Sequence, residues 1–397
     1  MSVKPYPGWE KISWPEKKNH IPKEVFVRPD VFEEELKRLF YGKEWLAVGH
    51  EAEIPNPGDF KTFMMARVPL LITRDMNGEV NVVYNACSHR GNQLETESRG
   101  NKIEFECPYH RWVFDPNGDL IGCPAKASEF SPGFKKSDYP LDRPRFAISN
   151  GIIFVTFNLD TPELSEHLGK QVEDHTAMVL GGGKLKLIGY HKIIFKANWK
   201  AYADNDSYHA PLLHTAFRML SWGGGKGSRF ANEKGQRGFI SELSLPRDTG
   251  MLKDPSLIEY KSGDLSKGST AVHMFPMFSI VHHLDVINLR FATPLSADQT
   301  EAHYAYFCRE DDDAEMVRHR VRQSSNLIGP CGMISMEDAA VFQRLHIGGF
   351  TPGSAIFQKG VKDEYALPTD FSQNDEAANL LWWEHYRNAM EFGGSNK

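Results

Sequence analysis

Short runs of β-branched and aromatic residues, separated by turn sequences, characterise the chain between residues 45 and 157. Three of these runs are Leu70–Thr73, Val80–Tyr84 and Gly151–Phe157. Asn-Gly and Asp-Pro-Asn-Gly sequences, which favour tight turns, lie between such runs. Because short strands with frequent turns are typical of small β domains, we predict an all-β domain over residues 45–157.

After residue 158, helical and strand patterns follow one another over longer stretches. Apolar residues recur at helical spacing in 163–180, 313–326, 335–345 and 374–392, whereas 187–195 and 271–308 favour strands. Residues 29–40 also show helical spacing, and residues 1–28 have the proline-rich texture of an extended arm. We therefore predict an α+β fold in which a larger mixed domain covers 158–397 and an N-terminal arm and helix, residues 1–44, packs on it.

The composition excludes several classes of protein. Of 397 residues, 41% are hydrophobic and 25% are charged, as in globular proteins, and the net charge of −6 argues against nucleic-acid binding. No stretch approaches the ~20 apolar residues of a membrane helix, and the N-terminus lacks the apolar core of a secretory signal. Five cysteines, an odd number, do not make a disulfide framework. We expect a cytoplasmic protein without membrane or nucleic-acid partners, whose cysteines are free to bind metal.

Two short motifs in the β domain combine thiol and imidazole side chains. Cys87-Ser-His89 is followed by Cys107-Pro-Tyr-His110. Two cysteines and two histidines suit a tetrahedral zinc site, or a [2Fe–2S] cluster with one iron on the cysteines and the other on the histidines. A zinc finger usually has the order Cys, Cys, His, His with the histidines on a helix, whereas here the order alternates in a β-rich setting. We therefore favour the cluster.

The sequences around these ligands resemble the Rieske iron–sulfur motif. Cys87-Ser-His89-Arg-Gly and Cys107-Pro-Tyr-His110-Arg-Trp carry the resemblance. The motif usually has Gly or Ala after its second histidine, where this chain has Arg111. We expect that departure to affect the surface beside the cluster and not the set of ligands.

A second group of metal-binding side chains lies after Asn198. His209 and His214 are separated by Pro211, which interrupts a regular helix and can turn both imidazoles toward one point. Two histidines and one carboxylate form the facial triad of non-haem Fe(II) oxygenases, which leaves coordination positions open for O₂ and substrate. By themselves, two histidines at this spacing are more often structural.

The carboxylate of such a triad is expected later in the chain than His214. Ser335 can cap a helix that carries Glu337 and Asp338 in its first turn. An alternative explanation is that both acids only complement the dipole of the helix.

Taken together, the three regions resemble the large (α) subunit of Rieske non-haem iron aromatic-ring-hydroxylating oxygenases over nearly the whole chain. The resemblance implies an all-β Rieske domain and a catalytic domain of helix-grip type, with an antiparallel sheet flanked by helices. It also implies the acid that links the two metal centres, for which the spacing to His209 favours Asp206 over Asp204. The implied ligands are Cys87, His89, Cys107 and His110 for the [2Fe–2S] cluster, and His209, His214 and Asp338 for the mononuclear iron.

The activity that the resemblance implies is cis-dihydroxylation of an aromatic compound with O₂. A monooxygenase that hydroxylates or O/N-demethylates its substrate is the alternative. Because no nucleotide-binding motif follows a strand, electrons must come from a ferredoxin and/or a reductase. The resemblance further implies a head-to-tail homotrimer, with or without a small β subunit. Met274, Phe275, Met277 and Phe278 suggest an apolar slot for the substrate.

Overall fold

The computed structural model describes residues 8–124, 129–205, 210–215, 226–243, 252–263 and 265–393. The chain divides into two compact units, Trp45–Thr161 and a second unit made of Met1–Glu44 with Pro162–Lys397. We call them the β unit and the mixed unit. The mixed unit is therefore discontinuous in sequence, and the β unit is inserted within it.

The first part of the mixed unit consists of short elements. Single 3₁₀ turns at Trp9–Lys11 and Lys23–Phe26 flank strand β1 (His20–Pro22), and helix α1 (Pro29–Glu35) continues as a wider π turn over Leu36–Lys43. Proline at the first position of α1 is favourable because that residue needs no hydrogen-bonded N–H.

Glu35, at the end of α1, is fully buried and binds side chains from two other parts of the mixed unit. Its carboxylate accepts hydrogen bonds from Lys200 Nζ at 2.5 Å, Trp199 Nε1 at 2.7 Å and the Tyr386 hydroxyl at 2.5 Å. Lys200 is also fully buried. A buried ion pair is tolerated when further hydrogen bonds satisfy its remaining polar atoms, as Trp199 and Tyr386 do here.

The β unit is built from small antiparallel sheets. Among its described residues the strand orders are β10-β11-β2, β5-β4-β3-β6 and β7-β8-β9. The strands are β2 (Leu46–His50), β3 (Asp59–Met65), β4 (Val68–Arg74), β5 (Val80–Tyr84), β6 (Arg99–Asn101), β7 (Phe105–Glu106), β8 (Val113–Phe114), β9 (Leu120–Gly122), β10 (Arg145–Ser149) and β11 (Ile152–Thr156). The predicted all-β character of this region is confirmed.

A seven-stranded antiparallel sheet, counted over the described residues, forms the centre of the mixed unit. Its strand order is β12-β18-β17-β16-β15-β14-β13, and β1 pairs separately with β19. The strands are β12 (Leu185–Phe195), β13 (Gly227–Ala231), β14 (Arg237–Ser241), β15 (Ser269–Met274), β16 (Phe278–His283), β17 (Val286–Ser296), β18 (Gln299–Arg309) and β19 (Ser354–Ile356).

Helices cover both faces of this sheet. They are α2 (Leu164–Leu180), α3 (Trp199–Ala203), α4 (Ala210–Leu213), α5 (Ala314–Gln323), α6 (Ser335–Gly348) and α7 (Ala377–Ala389). Helix α2 packs on β15 and β16, and His282 Nδ1 lies 3.0 Å from the Val179 carbonyl of that helix. Helices α3 and α6 contact each other, and Tyr202 of α3 stacks on Phe195. This antiparallel sheet flanked by helices confirms the predicted α+β class.

Candidate metal centres

The two cysteines of the first motif pair lie in the core of the β unit. Cys87 and Cys107 retain 3% and 1% of their surface, and both belong to a buried cluster with Phe105, Trp112 and Phe114. Burial raises the pKa of the Cys87 thiol, while the backbone N–H groups of His89 and Arg90 favour its thiolate. The Cys87 and Cys107 thiols lie within hydrogen-bonding reach of each other. The two sulfurs are therefore positioned to bind one common partner.

The two ligand loops have the same backbone hydrogen bonds. The Gly91 N–H donates to the Cys87 carbonyl at 2.8 Å, and the Arg111 N–H donates to the Cys107 carbonyl at 2.9 Å. In both loops the fourth residue after the cysteine is left-handed, with φ of 73° at Gly91 and 61° at Arg111. Only glycine adopts this conformation without strain. The departure from the usual small residue therefore affects the backbone, and the Arg111 side chain forms a close ion pair with Glu106.

The two histidines lie beside the cysteines and nearer the surface. The ring centroids of His89 and His110 are 4.6 Å apart, and His89 stacks on Trp112 at 4.8 Å. His110 Nδ1 is buried and has no hydrogen-bond partner among the described residues. Since buried polar atoms are normally paired, this nitrogen fits a metal ligand.

The arrangement of these four side chains fits a two-iron cluster. Cys87 and Cys107 form one pair, and His89 and His110 form the other. A [2Fe–2S] cluster needs only two protein ligands on each iron. The paired cysteines and paired histidines fit that pattern.

In the mixed unit, the structure brings His214 and Asp338 together. His214 Nε2 lies 3.2 Å from Asp338 Oδ1, and the other ring nitrogen, Nδ1, lies 2.8 Å from Glu337 Oε2. His214 and Asp338 retain 1% and 7% of their surface. Two ligands at about 2.1 Å from a metal and at right angles are about 3 Å apart. The His214–Asp338 pair therefore fits two positions of an iron site.

The charges around His214 compensate for its burial. Burial lowers the pKa of His214, but the hydrogen bonds and negative charges of Asp338 and Glu337 outweigh it, so the pKa is raised above 6.5. Glu337 was predicted only as one of two acids in the first turn of its helix. Its contact with Nδ1 orients the ring of His214, as acids that contact metal-bound histidines commonly do.

The other predicted residues of this centre, Asp206 and His209, lie outside the described residues. The flanking residues are firmly held. Asp204 Oδ1 accepts hydrogen bonds from Asn379 Nδ2 at 2.9 Å and from Trp383 Nε1 at 3.0 Å. Arg237 Nη2 donates to the carbonyl of Asn205 at 3.3 Å. Asp204 therefore anchors this segment to α7.

Ser335 does not cap helix α6 as predicted. The helix begins at Ser335 itself, and the residue before it, Ile334, makes no side-chain cap. Ser335 Oγ instead donates to the Ile328 carbonyl at 2.7 Å. The hydroxyl thus fixes the entry to the helix that carries Glu337 and Asp338.

Comparison with protein families identifies both units. Residues 44–140 match the Rieske [2Fe-2S] domain, and residues 182–367 match the ring hydroxylating alpha subunit (catalytic domain). The large oxygenase component of salicylate 5-hydroxylase from Ralstonia sp is 32% identical over 360 residues, which cover 83% of this chain and 85% of the relative. The chain belongs to the ring-hydroxylating oxygenase alpha subunits.

Two further relatives show the breadth of this family. The large subunit of anthranilate 1,2-dioxygenase from Burkholderia cepacia is 30% identical to this oxygenase alpha subunit, over 83% of this chain and 84% of the relative. The crystal structure of naphthalene 1,2-dioxygenase from Rhodococcus sp. superimposes with a TM-score of 0.80 at 23% identity, covering 95% of both chains. The latter confirms the fold.

Membership of the family confirms the predicted class of enzyme and its cofactors. The oxygenase alpha subunit is an oxidoreductase with a Rieske [2Fe–2S] domain and a catalytic domain that binds a mononuclear iron. In its described residues, no helix is long and apolar enough to cross a membrane. The assignment of individual ligands and of Asp206 remains a prediction.

The oxygenase alpha subunit has a cleft of about 730 Å³ beside Asp338 in its mixed unit. Asn205 and Leu213 also line it. The predicted apolar slot differs: Met274, Phe275, Met277 and Phe278 are packed in the interior, and the cavity beside three of them measures about 10 Å³. This cavity is too small for an aromatic ring.

Proposed function

We propose that this chain is the terminal oxygenase of a multicomponent system that cis-dihydroxylates an aromatic compound. The observation that supports an oxygenase iron site is the convergence of His214 Nε2 and Asp338 Oδ1 at 3.2 Å in a buried site. With His209, these residues hold the iron. Iron at this site supplies O₂ activation, using electrons relayed from the Rieske cluster.

The surrounding residues of the chain position the ligands and protect the site. The Glu337 carboxylate accepts a hydrogen bond from His214 Nδ1, so that Nε2 is the nitrogen that can bind the metal. Trp383 and Asn379 fix Asp204, the residue that follows helix α3. The burial of His214 and Asp338 limits the access of water.

Electrons reach the chain from a ferredoxin and/or a reductase. We further propose that three copies form a head-to-tail ring, in which Asp206 joins His110 of one subunit to His209 of the next. A head-to-tail interface closes into a ring when its rotation is compatible with three-fold symmetry. The exposure of His89 supports this scheme, since the histidine side of the cluster lies at the surface of its unit.

Single hydroxylation is the second candidate function, and one observation favours it. The Ralstonia relative, at 32% identity, is named a 5-hydroxylase, whereas the Burkholderia relative is a 1,2-dioxygenase. The fold and the ligands are compatible with both outcomes, because they differ only in how many oxygen atoms reach the ring.

Isotope labelling distinguishes the two functions. The purified chain is combined with NADH, a reductase and a ferredoxin, and aromatic substrates are screened for O₂ uptake. With ¹⁸O₂, a dioxygenase places two labelled atoms in one product molecule, whereas a hydroxylase or demethylase places one. Turnover with NADH alone contradicts the need for a donor protein, and the His214→Ala variant gives the background.

The link between subunits is tested at Asp206. Asp206→Asn is expected to keep both metals and the trimer, measured by metal analysis and sedimentation, yet to reduce the iron slowly in single-turnover experiments. Asp204→Asn is the matched variant, and it is expected to lower stability without that specific delay. A monomer with full activity contradicts the scheme.

A further inference from the structure

A row of polar side chains crosses the central sheet of the mixed unit. In the strand register, Tyr304 lies opposite Arg290, Arg290 opposite Ser279, and Ser279 opposite His273. Residues directly opposite each other in antiparallel strands point to the same face. His282 points to α2, and because side chains alternate along a strand, Ser279 and its row point to the opposite face, toward α3 and α6.

Arg290, at the centre of this row, has unused hydrogen-bond donors. Its Nε donates to Asn288 Oδ1 at 2.7 Å, and its guanidinium carbon lies 5.0 Å from the centre of the Tyr304 ring. Its two terminal nitrogens make no hydrogen bond or ion pair with any described residue. The side chain lies deep in the unit but retains part of its accessible surface. These terminal donors are therefore available to an anionic ligand.

Tyr202 adds a second unused donor beside Arg290. Its hydroxyl is buried, with 8% of the residue exposed, and makes no hydrogen bond of proper geometry among the described residues. The hydroxyls of Tyr304 and Ser279 lie close to it, and the positive charge of Arg290 acts on it. Burial raises the pKa of Tyr202 well above 10.0, so the phenol stays protonated and can donate a hydrogen bond.

These donors lie on the side of the sheet where the candidate iron ligands are found. The charge of Asp338 acts on Arg290, yet the two residues form no ion pair. Arg237 is the other arginine of the row, opposite His273, but its guanidinium is bound to the carbonyls of Ala203 and Asn205. Arg290 is thus the arginine of the row that remains available to a ligand.

We propose that Arg290 and Tyr202 bind the carboxylate of the substrate, which is therefore an aromatic acid. A planar guanidinium matches a carboxylate with two parallel hydrogen bonds, and a neutral hydroxyl adds a third. The carboxylate supplies the missing counter-charge, and its position directs the ring toward Asp338. This proposal rests on the proposed function, whose iron site it uses as a reference point.

The proposal is tested by ligand binding, which does not depend on turnover. Calorimetry on the metal-loaded protein, in the absence of O₂ and reductant, compares salicylate with its neutral analogue salicylamide. Salicylate is expected to bind more tightly. Arg290→Gln is expected to weaken salicylate binding by roughly 100-fold and to change salicylamide binding less than about twofold. Arg290→Lys keeps the positive charge but cannot donate two parallel hydrogen bonds to a carboxylate. Its affinity for salicylate is therefore expected to lie between those of the wild type and Arg290→Gln.

The tyrosines provide a matched pair of variants. Tyr202→Phe is expected to weaken salicylate binding by roughly 10-fold. Tyr306 lies on the same face of β18, two residues after Tyr304, but its hydroxyl is already paired with His191 Nδ1 at 3.2 Å. Tyr306→Phe is therefore expected to leave the preference for the acid unchanged.

Three results overturn the proposal. Wild-type protein that binds the acid and the amide equally excludes a carboxylate site. If the Arg290→Gln protein loses iron, or if its affinities for salicylate and salicylamide fall equally, Arg290 has a structural role. If Arg290→Gln does not fold, equal effects of Tyr202→Phe on the acid and the amide reject the proposal. A protein that binds salicylate as predicted but never oxidises it contradicts the proposed function alone.

Discussion

His214 Nε2 and Asp338 Oδ1 lie 3.2 Å apart, although the two residues come from distant parts of the sequence. This separation suits two ligands of one metal ion, and a buried contact of this kind is otherwise an ion pair. Metal content distinguishes the two explanations.

The variant His214→Ala is expected to lose the mononuclear iron and all oxygenation. The Rieske absorption and EPR spectra are expected to persist, because the cluster ligands lie in the other unit. The measurement is the ratio of iron to acid-labile sulfide, which falls to that of the cluster alone. Iron and activity that survive in this variant reject the assignment.

Glu337 is expected to act through His214. Glu337→Gln removes the negative charge beside Nδ1 while keeping the shape of the side chain, and we expect iron affinity to fall about 10- to 100-fold. Competition with a chelator measures the change. Asp338→Asn is the comparison and should abolish iron binding, since that residue is the predicted ligand; equal losses in both variants contradict the distinction.

The cluster is expected to have the potential of a centre with two imidazole ligands. Replacing His110 by Cys adds negative charge, so the potential is expected to fall, or the cluster to be lost. Redox titration monitored by EPR measures it. Purified wild-type protein that contains zinc and no acid-labile sulfide contradicts the cluster altogether.

Arg111 offers a test of backbone strain near the cluster. Its φ of 61° suits glycine, so Arg111→Gly is expected to stabilise the β unit by about 1 kcal/mol, less the contribution of the exposed Glu106 ion pair. Thermal unfolding of the holoprotein measures the effect. Glu106→Gln, which removes the ion pair alone, is the control, and a lower melting temperature in Arg111→Gly than in that control contradicts the expectation.

His50 gives the β unit a defined response to acid. Burial lowers the pKa of His50 to about 4, despite the opposing charge of Glu53 and with help from Lys61. The folded pKa is below the value of about 6.5 in the unfolded chain, so stability is complete above pH 6.5 and falls as the pH drops toward 4. The loss from this residue is about 3 kcal/mol by pH 4.

Denaturant titrations at pH 7 and pH 4.5 measure this loss. His50 Nδ1 accepts a hydrogen bond from the Ala52 N–H at 3.0 Å. His50→Gln keeps an acceptor but does not titrate, so its stability should change less between the two pH values. An equal change in both proteins assigns the acid sensitivity to other groups.

The features that could be predicted from the sequence are those encoded by neighbouring residues. Cys87, His89, Cys107 and His110 stand in two short motifs, and Asp338 stands at the predicted start of a helix. The β-rich and mixed regions also follow from local periodicity.

What could not be predicted depends on contacts between strands and helices. Arg290 stands between Leu289 and Phe291 in an apolar strand, and its unused donors emerge only from the register with Ser279 and Tyr304. The bond between Trp383 and Asp204 joins helices from distant parts of the sequence. Met274 and Phe278 had the composition of a pocket, but composition does not determine whether apolar residues pack together.

The cluster around Glu35 has a consequence for the order in which the protein forms during synthesis. Glu35 leaves the ribosome before the whole β unit, Lys200 follows that unit, and Tyr386 stands in the last helix of the described chain. The β unit, continuous in sequence, can complete its fold while translation continues. The mixed unit cannot: until Tyr386 is made, the carboxylate of Glu35 lacks one of its buried partners. The nascent enzyme therefore assembles its electron-accepting part before the part that handles oxygen.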